Sequence, residues 1–280
     1  MHPTPKRFIL DLLSTAPERA LPVAALVAAG RLFDVTENNV RVTVARLRAA
    51  GLVDTDERGR YRLTDATAAV GKHVTGWRDI GGRVTAWDGG WIGVHTAAVL
   101  RSERRAHRHG DRALRLLGFQ PFAAGLHLRP DNLTGGIVVV RAQLHTLGLD
   151  RKALVFEVRD LDEAAERRAR RLWDTKALRD DYRASLVALQ KSHRRLAALP
   201  AHEALVESFS LGGRVVRQLA LDPLLPEPLV PAGERAALVE AMRRYDRAGR
   251  SRWAEFLKGA VAEAAAARGR RLQSIQGEAA

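Results

Sequence analysis

At 280 residues the chain exceeds the usual size of a single hydrophobic core, so its length predicts two or three domains. A composition of 46% hydrophobic and 28% charged residues describes an ordinary folded, soluble protein, and a formal net charge of +14 favours polyanions through long-range attraction and counterion release. The absence of cysteine excludes disulfides, thiolate metal sites and cysteine nucleophiles, and it suits a reducing compartment.

Three short amphipathic helices are predicted within the first 50 residues. Phe8, Ile9, Leu12 and Leu13 recur at helical spacing and give the first its apolar stripe. Pro22 suits the first position of a second helix, with Val23, Leu26 and Val27 on one face and Gly30 as its stop. Thr36 caps a third helix, Glu37 favours its first turn, and Gly51 ends it. Val40, Val44 and Leu47 form the core-facing side of that helix. A hairpin follows, with Asp56-Glu57-Arg58-Gly59 at its tip and Arg60-Tyr61-Arg62-Leu63 alternating at period two. Helix, helix, capped helix and basic hairpin make the order of a winged helix-turn-helix over residues 1–75.

Residues 65–83 read as a short helical end and a linker loosened by glycines. Residues 91–99 then read as a strand, 102–117 as a helix, and 122–128 as a strand or hairpin. Residues 137–147 stay ambiguous, because Ile137-Val138-Val139-Val140 is β-branched while the rest of the stretch is helical; residues 153–158 read as a strand. Residues 84–160 are thus an α+β middle domain. Residues 161–280 are mainly helical, broken by Pro223, Pro226, Pro228 and Pro231, with an Ala-rich end from Ala260 read as a helix that frays into a disordered tail. The predicted fold class is α+β.

On a helical wheel, Asn38, Val42 and Ala49 lie opposite the core-facing stripe, with Asn39 and Arg46 on one flank and Arg41 and Arg48 on the other. Asparagine can pair bidentately with adenine and arginine with guanine in a major groove. In an alternating strand Arg60 and Arg62 share one face, with Tyr61 and Leu63 toward the core, and Arg58 joins them at the tip. The DNA-binding residues so nominated are Asn38, Asn39, Arg41, Arg46, Arg58, Arg60 and Arg62.

Other chemistry finds no support. His107 and His109 sit two apart in a helix and point away from one another, so they do not share a metal. The paired glycines lack the surroundings of a phosphate loop, and no nucleophile elbow or carboxylate dyad stands out. No catalytic residue, metal ligand or cofactor is therefore nominated, and no ligand-pocket residue is identified. The charge excess is diffuse, +3 over residues 1–80, +5 over 81–160 and +6 over 161–280, so charge alone does not locate a reading head. Asp11 interrupts the first apolar stretch and no window holds about 18 uninterrupted apolar residues, so a cytoplasmic protein without a membrane span is expected.

Four sets of motifs stand out in order along the chain: residues 40–52, Gly59-Arg60-Tyr61-Arg62-Leu63-Thr64, then Trp87-Asp88-Gly89-Gly90-Trp91 with Arg104-Arg105 and Leu116-Leu117-Gly118-Phe119, and finally residues 222–231. In these the chain resembles the PaaX family, repressors of phenylacetate catabolism: they look like that family's recognition helix with its exit, its wing, the start of its middle domain and its C-terminal signature. The resemblance covers about residues 6 to 258. It implies a winged helix, a ferredoxin-like middle domain and a helical C-terminal domain. It also implies a homodimeric transcriptional repressor on an inverted-repeat operator, released by an aryl- or acyl-CoA thioester. Ala232-Gly233-Glu234 stands where the family carries an aromatic residue and a second glycine motif, so phenylacetyl-CoA itself is not singled out. Two alternatives stay open: a winged-helix regulator with no small-molecule effector, and a metal-dependent nuclease of the ferredoxin fold like those of CRISPR adaptation. The latter holds its metal on an Asp at the end of the first strand. Here that strand ends without a carboxylate, and Asp88 precedes it.

Overall fold

The computed structural model describes residues 3–15, 20–65, 67–68, 76–97 and 104–277, with side chains from 107 to 266 in the last stretch. The fold is mixed α+β, as the sequence predicts. In chain order the elements are α1 (Pro5–Thr15), β1 (Ala20–Leu21), α2 (Val23–Arg31), α3 (Glu37–Ala49), β2 (Val53–Thr55) and β3 (Tyr61–Leu63). Then come β4 (Trp91–His95), α4 (Arg104–Leu116), β5 (Gln120–Ala123), β6 (Leu126–Pro130), α5 (Gly136–Thr146) and β7 (Leu154–Val158). The helices α6 (Glu163–Arg170), α7 (Thr175–Arg195), α8 (Ala201–Ala220) and α9 (Ala232–Gly277) complete it. The Ala-rich end from Ala260, expected as a helix, is helical through Gly277, and the last three residues lie outside the described residues.

The chain groups into two compact units. One comprises residues 1–71, 191–214 and 244–280, the other residues 72–190 and 215–243. Residues 161–280, one stretch in the sequence reading, are therefore shared between the two. The reason lies in the first unit's core. The apolar stripe of α1 and the buried side of α3 are completed by Leu205, Phe209, Trp253 and Leu257 of α8 and α9. Phe8, Phe33, Phe209 and Trp253 form one aromatic cluster with ring centroids 5.1–6.4 Å apart, a spacing at which both the tilted pairs and the stacked Phe33–Trp253 pair attract. The Trp253 indole N–H donates to the Leu205 carbonyl at 3.1 Å, so this large ring is buried without an orphaned donor. A three-stranded antiparallel sheet, in order β1-β3-β2, closes the unit.

The second unit carries a four-stranded antiparallel sheet in order β5-β6-β4-β7, with α4 and α5 interleaved in the pattern β-α-β-β-α-β. Residues 137–147 resolve as helix. Val140 and Leu144, four apart, are buried, and the positive φ of Gly135 and Gly136 lets the chain turn into α5, so packing overrides the β-branched preference. The strand predicted over 91–99 ends at His95, where Thr96 turns to donate its N–H to Gly125; Ala98 and Val99 lie outside the described residues.

A buried polar network ties residues 222–231 into this unit. The Asp222 carboxylate accepts from the Tyr182 hydroxyl at 2.5 Å and the Leu224 N–H at 2.8 Å, with Arg235 at 3.8 Å. Asn132 donates to the Leu224 carbonyl at 2.7 Å and accepts from Arg129 at 2.9 Å. Arg129 is wholly enclosed, and burial pushes its guanidinium down to about 9, so it keeps its proton at neutral pH. The Leu117-Gly118 stretch abuts the same segment. Gly118 has φ +74, and a Cβ there would lie 2.6 Å from Pro223 Cα. A Gly118→Ala change therefore meets both backbone strain and a backbone clash, and should lower unfolding free energy by at least about 2 kcal/mol. Urea unfolding followed by tryptophan fluorescence measures this; a loss under about 0.5 kcal/mol would contradict the packing described.

Candidate nucleic-acid interface

α3 is built to show one face outward. Thr36 caps it, its hydroxyl accepting the Asn39 N–H at 3.3 Å, and Glu37 places a carboxylate at the positive end of the helix. Val40, Val44 and Leu47 are buried in the first unit's core. Burying that stripe leaves Asn38, Asn39, Arg41, Val42, Ala45, Arg46, Arg48 and Ala49 exposed. Gly30, expected to stop α2, lies inside it instead. A Cβ there would come within 2.9 Å of Val40 Cγ2, so the glycine brings α2 close against α3 and holds it at a fixed depth.

Ion pairing divides the exposed arginines. Glu37 takes Arg41 at 2.8 Å and lies 3.9 Å from Arg31. Arg46 and Arg48 have no ion-pair partner among the described residues. The Asn39 carbonyl oxygen accepts the Thr43 hydroxyl at 3.4 Å, which leaves its amide N–H donors uncommitted. Val42, 38% exposed, sits between these polar groups as an aliphatic contact. Arg48 and Val42 were not nominated from the sequence. The wheel placed them on the outer side, but only the pairing of Arg41 with Glu37 shows that Arg48 is the flank cation left uncommitted.

The hairpin is locked by Asp56. Its N–H donates to the Arg60 carbonyl at 2.8 Å, and Gly59, at φ +72, closes the turn by donating to the Asp56 carbonyl at 2.9 Å. The Asp56 carboxylate accepts the Arg58 N–H at 3.0 Å, the Arg60 N–H at 2.8 Å and the Arg60 Nε–H at 2.7 Å. The backbone N–H of Arg60, foremost among these contacts, holds the carboxyl below its ordinary value. Arg60 therefore does not stand beside Arg62 on a strand face as expected. β3 begins one residue later, and the Arg60 guanidinium folds back against the tip with its side chain 26% exposed. Arg62 stays exposed opposite Asp54, 3.8 Å away, and Arg58 is exposed at the tip without an ion-pair partner among the described residues. Tyr61 and Leu63 pack against the core as predicted.

Asn38, Asn39, Arg46 and Arg48 thus share the outer side of one helix, while Arg58 and Arg62 belong to the hairpin. Arg41 and Arg60 are largely neutralised by carboxylates. Asp88, the carboxylate nearest the start of β4, accepts from the Gly90 N–H and from Arg159, each at 2.9 Å. Among the described residues no group of three or more His, Asp or Glu is placed to hold a metal ion, and no helix is long and apolar enough to cross a membrane.

The Asp56 contacts make a prediction independent of any ligand. Its folded pKa is depressed, so the carboxylate contributes stability that is present above the ordinary value near 3.8 and lost as pH falls through the folded value. In an Asp56→Ala variant the Arg58 and Arg60 amides should exchange with deuterium at least about tenfold faster at neutral pH, while those of α3 keep their protection. Unchanged exchange at both amides would show that the carboxylate does not hold the turn.

No protein-family model matches the chain, and no curated protein matches it. Among solved structures it is similar to the uncharacterized protein Rv0674 from Mycobacterium tuberculosis, with a TM-score of 0.56 and 21% identity, over 90% of this chain and 96% of that one. At that identity the likeness establishes a shared fold and extends over nearly the whole of both chains.

Proposed function

We propose that this protein is a DNA-binding transcriptional regulator of the PaaX-like kind, reading duplex DNA through a winged helix-turn-helix. The observation that carries the reading is the outer side of α3. A capped helix with a buried valine-leucine stripe presents amides, an aliphatic contact and unpaired guanidinium groups outward, followed in sequence by a locked basic hairpin. Amide and guanidinium groups match the edges of adenine and guanine in a major groove, and the Val42 side chain suits a thymine methyl. Arg58 and Arg62 on the wing suit phosphate oxygens, which position the protein without reading sequence. The β-α-β-β-α-β arrangement of the second unit supports the ferredoxin-like reading of the middle domain.

The remainder of the proposal comes from the family resemblance. The regulator acts in the cytoplasm as a homodimer on an inverted repeat, since a two-fold protein matches two half-sites. A CoA thioester binding beyond residue 84 weakens the operator complex by favouring another arrangement of the dimer, with a coupling of about 1–3 kcal/mol. The proposed action is binding rather than catalysis. The nuclease alternative loses ground because Asp88 is engaged by Arg159 and a backbone N–H in a surface turn.

Selection of bound genomic fragments, followed by footprinting, should give paired half-sites. On the selected site Arg46→Ala should cost about 1–3 kcal/mol and relax preference at one base pair, whereas Arg41→Ala, whose guanidinium is already held by Glu37, should cost less. If Arg46→Ala lowered affinity for all sequences equally, it would not be a base reader. Titrating the complex with aryl- and acyl-CoA thioesters tests the effector in the same assay; no change in operator affinity with any of them would remove that part of the proposal alone.

A further inference from the structure

The second unit carries a basic face of its own, on α4. Arg108, Arg112 and Arg115 are exposed on this helix, while Ala113, Leu114 and Leu116 are buried. At 3.6 residues per turn the three arginines fall within an arc of about 60°, separated along the axis by about 6 Å and then about 4.5 Å. None of the three has an ion-pair partner among the described residues. Several other exposed cations of the same unit are paired, Arg159 with Asp88, Arg167 with Glu163, Lys176 with Asp180 and Arg183 with Asp180; what sets these three apart is that they are unpaired and lie together along one face of one helix.

A carboxylate is within sequence reach, yet it is not used. Asp111 stands four residues before Arg115, the spacing at which Arg41 and Arg167 find their partners, but forms no ion pair with it. Its charge acts instead on His127 of β6, where burial lowers the imidazole pKa and Asp111 partly offsets that effect. Like charges at i and i+4, as at Arg108 and Arg112, destabilise a helix by a few tenths of a kcal/mol, and among the described residues no ion pair on α4 offsets that cost. A row of phosphate groups would remove it, since each guanidinium can offer two N–H donors to phosphate oxygens.

We propose that the outer face of α4 is a second phosphate-binding site, at which Arg108, Arg112 and Arg115 grip consecutive phosphate groups. The ligand chemistry is a linear array of phosphates, supplied either by a nucleic-acid backbone or by a free polyphosphate-bearing molecule. The site stands on the second unit alone and does not depend on the reading of α3.

The test uses the full chain and two probes, a fluorescent duplex of arbitrary sequence and inorganic tripolyphosphate. The R108Q/R112Q/R115Q variant is compared with the charge-matched R167Q/R171Q/K176Q variant over a range of salt concentrations. If a nucleic-acid backbone is the ligand, the α4 variant binds the duplex at least about tenfold more weakly and its salt slope falls by about 0.9 for each lost contact. If a free polyphosphate is the ligand, tripolyphosphate binding is lost while duplex binding matches the control. Equal behaviour of the two triple variants with both probes overturns the proposal. Should the α4 triple variant not fold, R112Q alone is read against R167Q alone, with a slope change of about 0.9 or a loss of tripolyphosphate affinity expected and no difference on either probe contradicting the site.

Discussion

Burial of Val40, Val44 and Leu47 is the constraint on which the proposed interface depends. These three side chains fix the rotation of α3 about its own axis, and so decide which residues meet solvent. The helix cannot turn to hide its polar side without exposing all three, at roughly 1.5–3 kcal/mol per fully buried aliphatic side chain. Its depth is set as well. Gly30 lets α2 close on Val40, and Phe33 joins the cluster of Phe8, Phe209 and Trp253 beneath. Residues remote in sequence thereby hold a helix of 13 residues that would be marginal alone.

In a chain with 46 basic residues, carboxylate placement decides which cations are available for a ligand. Glu37 withdraws Arg41 and Asp56 withdraws Arg60, although both arginines belong to the stretches of sequence that look most like a reading head. Arg46, Arg48 and Arg58 are left unpaired in the first unit's helix-and-hairpin region, and Arg108, Arg112 and Arg115 along α4. The diffuse net charge has therefore been sorted, residue by residue, into structural pairs and unengaged groups. Surface pairs of this kind add little stability, since exposed ion pairs contribute about 0–1 kcal/mol. Their effect here is to shape the local field.

Much of the first unit was legible in the sequence because its signals are local. Thr36 as a cap, the i, i+4, i+7 stripe of α3 and the turn chemistry of 56–59 each act within a few residues. The readings that shifted depend on particular contacts that periodicity and propensity do not show. Gly30 looked like a stop because its neighbour Val40 is ten residues away, and the Arg60 orientation is set by two hydrogen bonds, from its N–H and its Nε–H, to one carboxylate. Ile137 to Val140 favours a strand by propensity, but a single buried face at helical spacing wins. The mixing of the C-terminal helices into both units was hidden for the same reason, since periodicity shows that Trp253 faces a core without showing which one. The 222–231 segment drew notice as a motif; its role as the partner of Tyr182, Asn132 and Arg235 needed three dimensions.

The central claim is that α3 and its hairpin meet duplex DNA. Hydrogen–deuterium exchange of the full chain, with and without saturating duplex fragments selected from the source genome, tests this most directly. The account predicts protection concentrated in residues 36–64, strongest along the exposed side of α3 and at the hairpin tip, over and above the protection already given by the helix. Binding that leaves 36–64 unchanged, or no binding to any fragment at low salt, would contradict it.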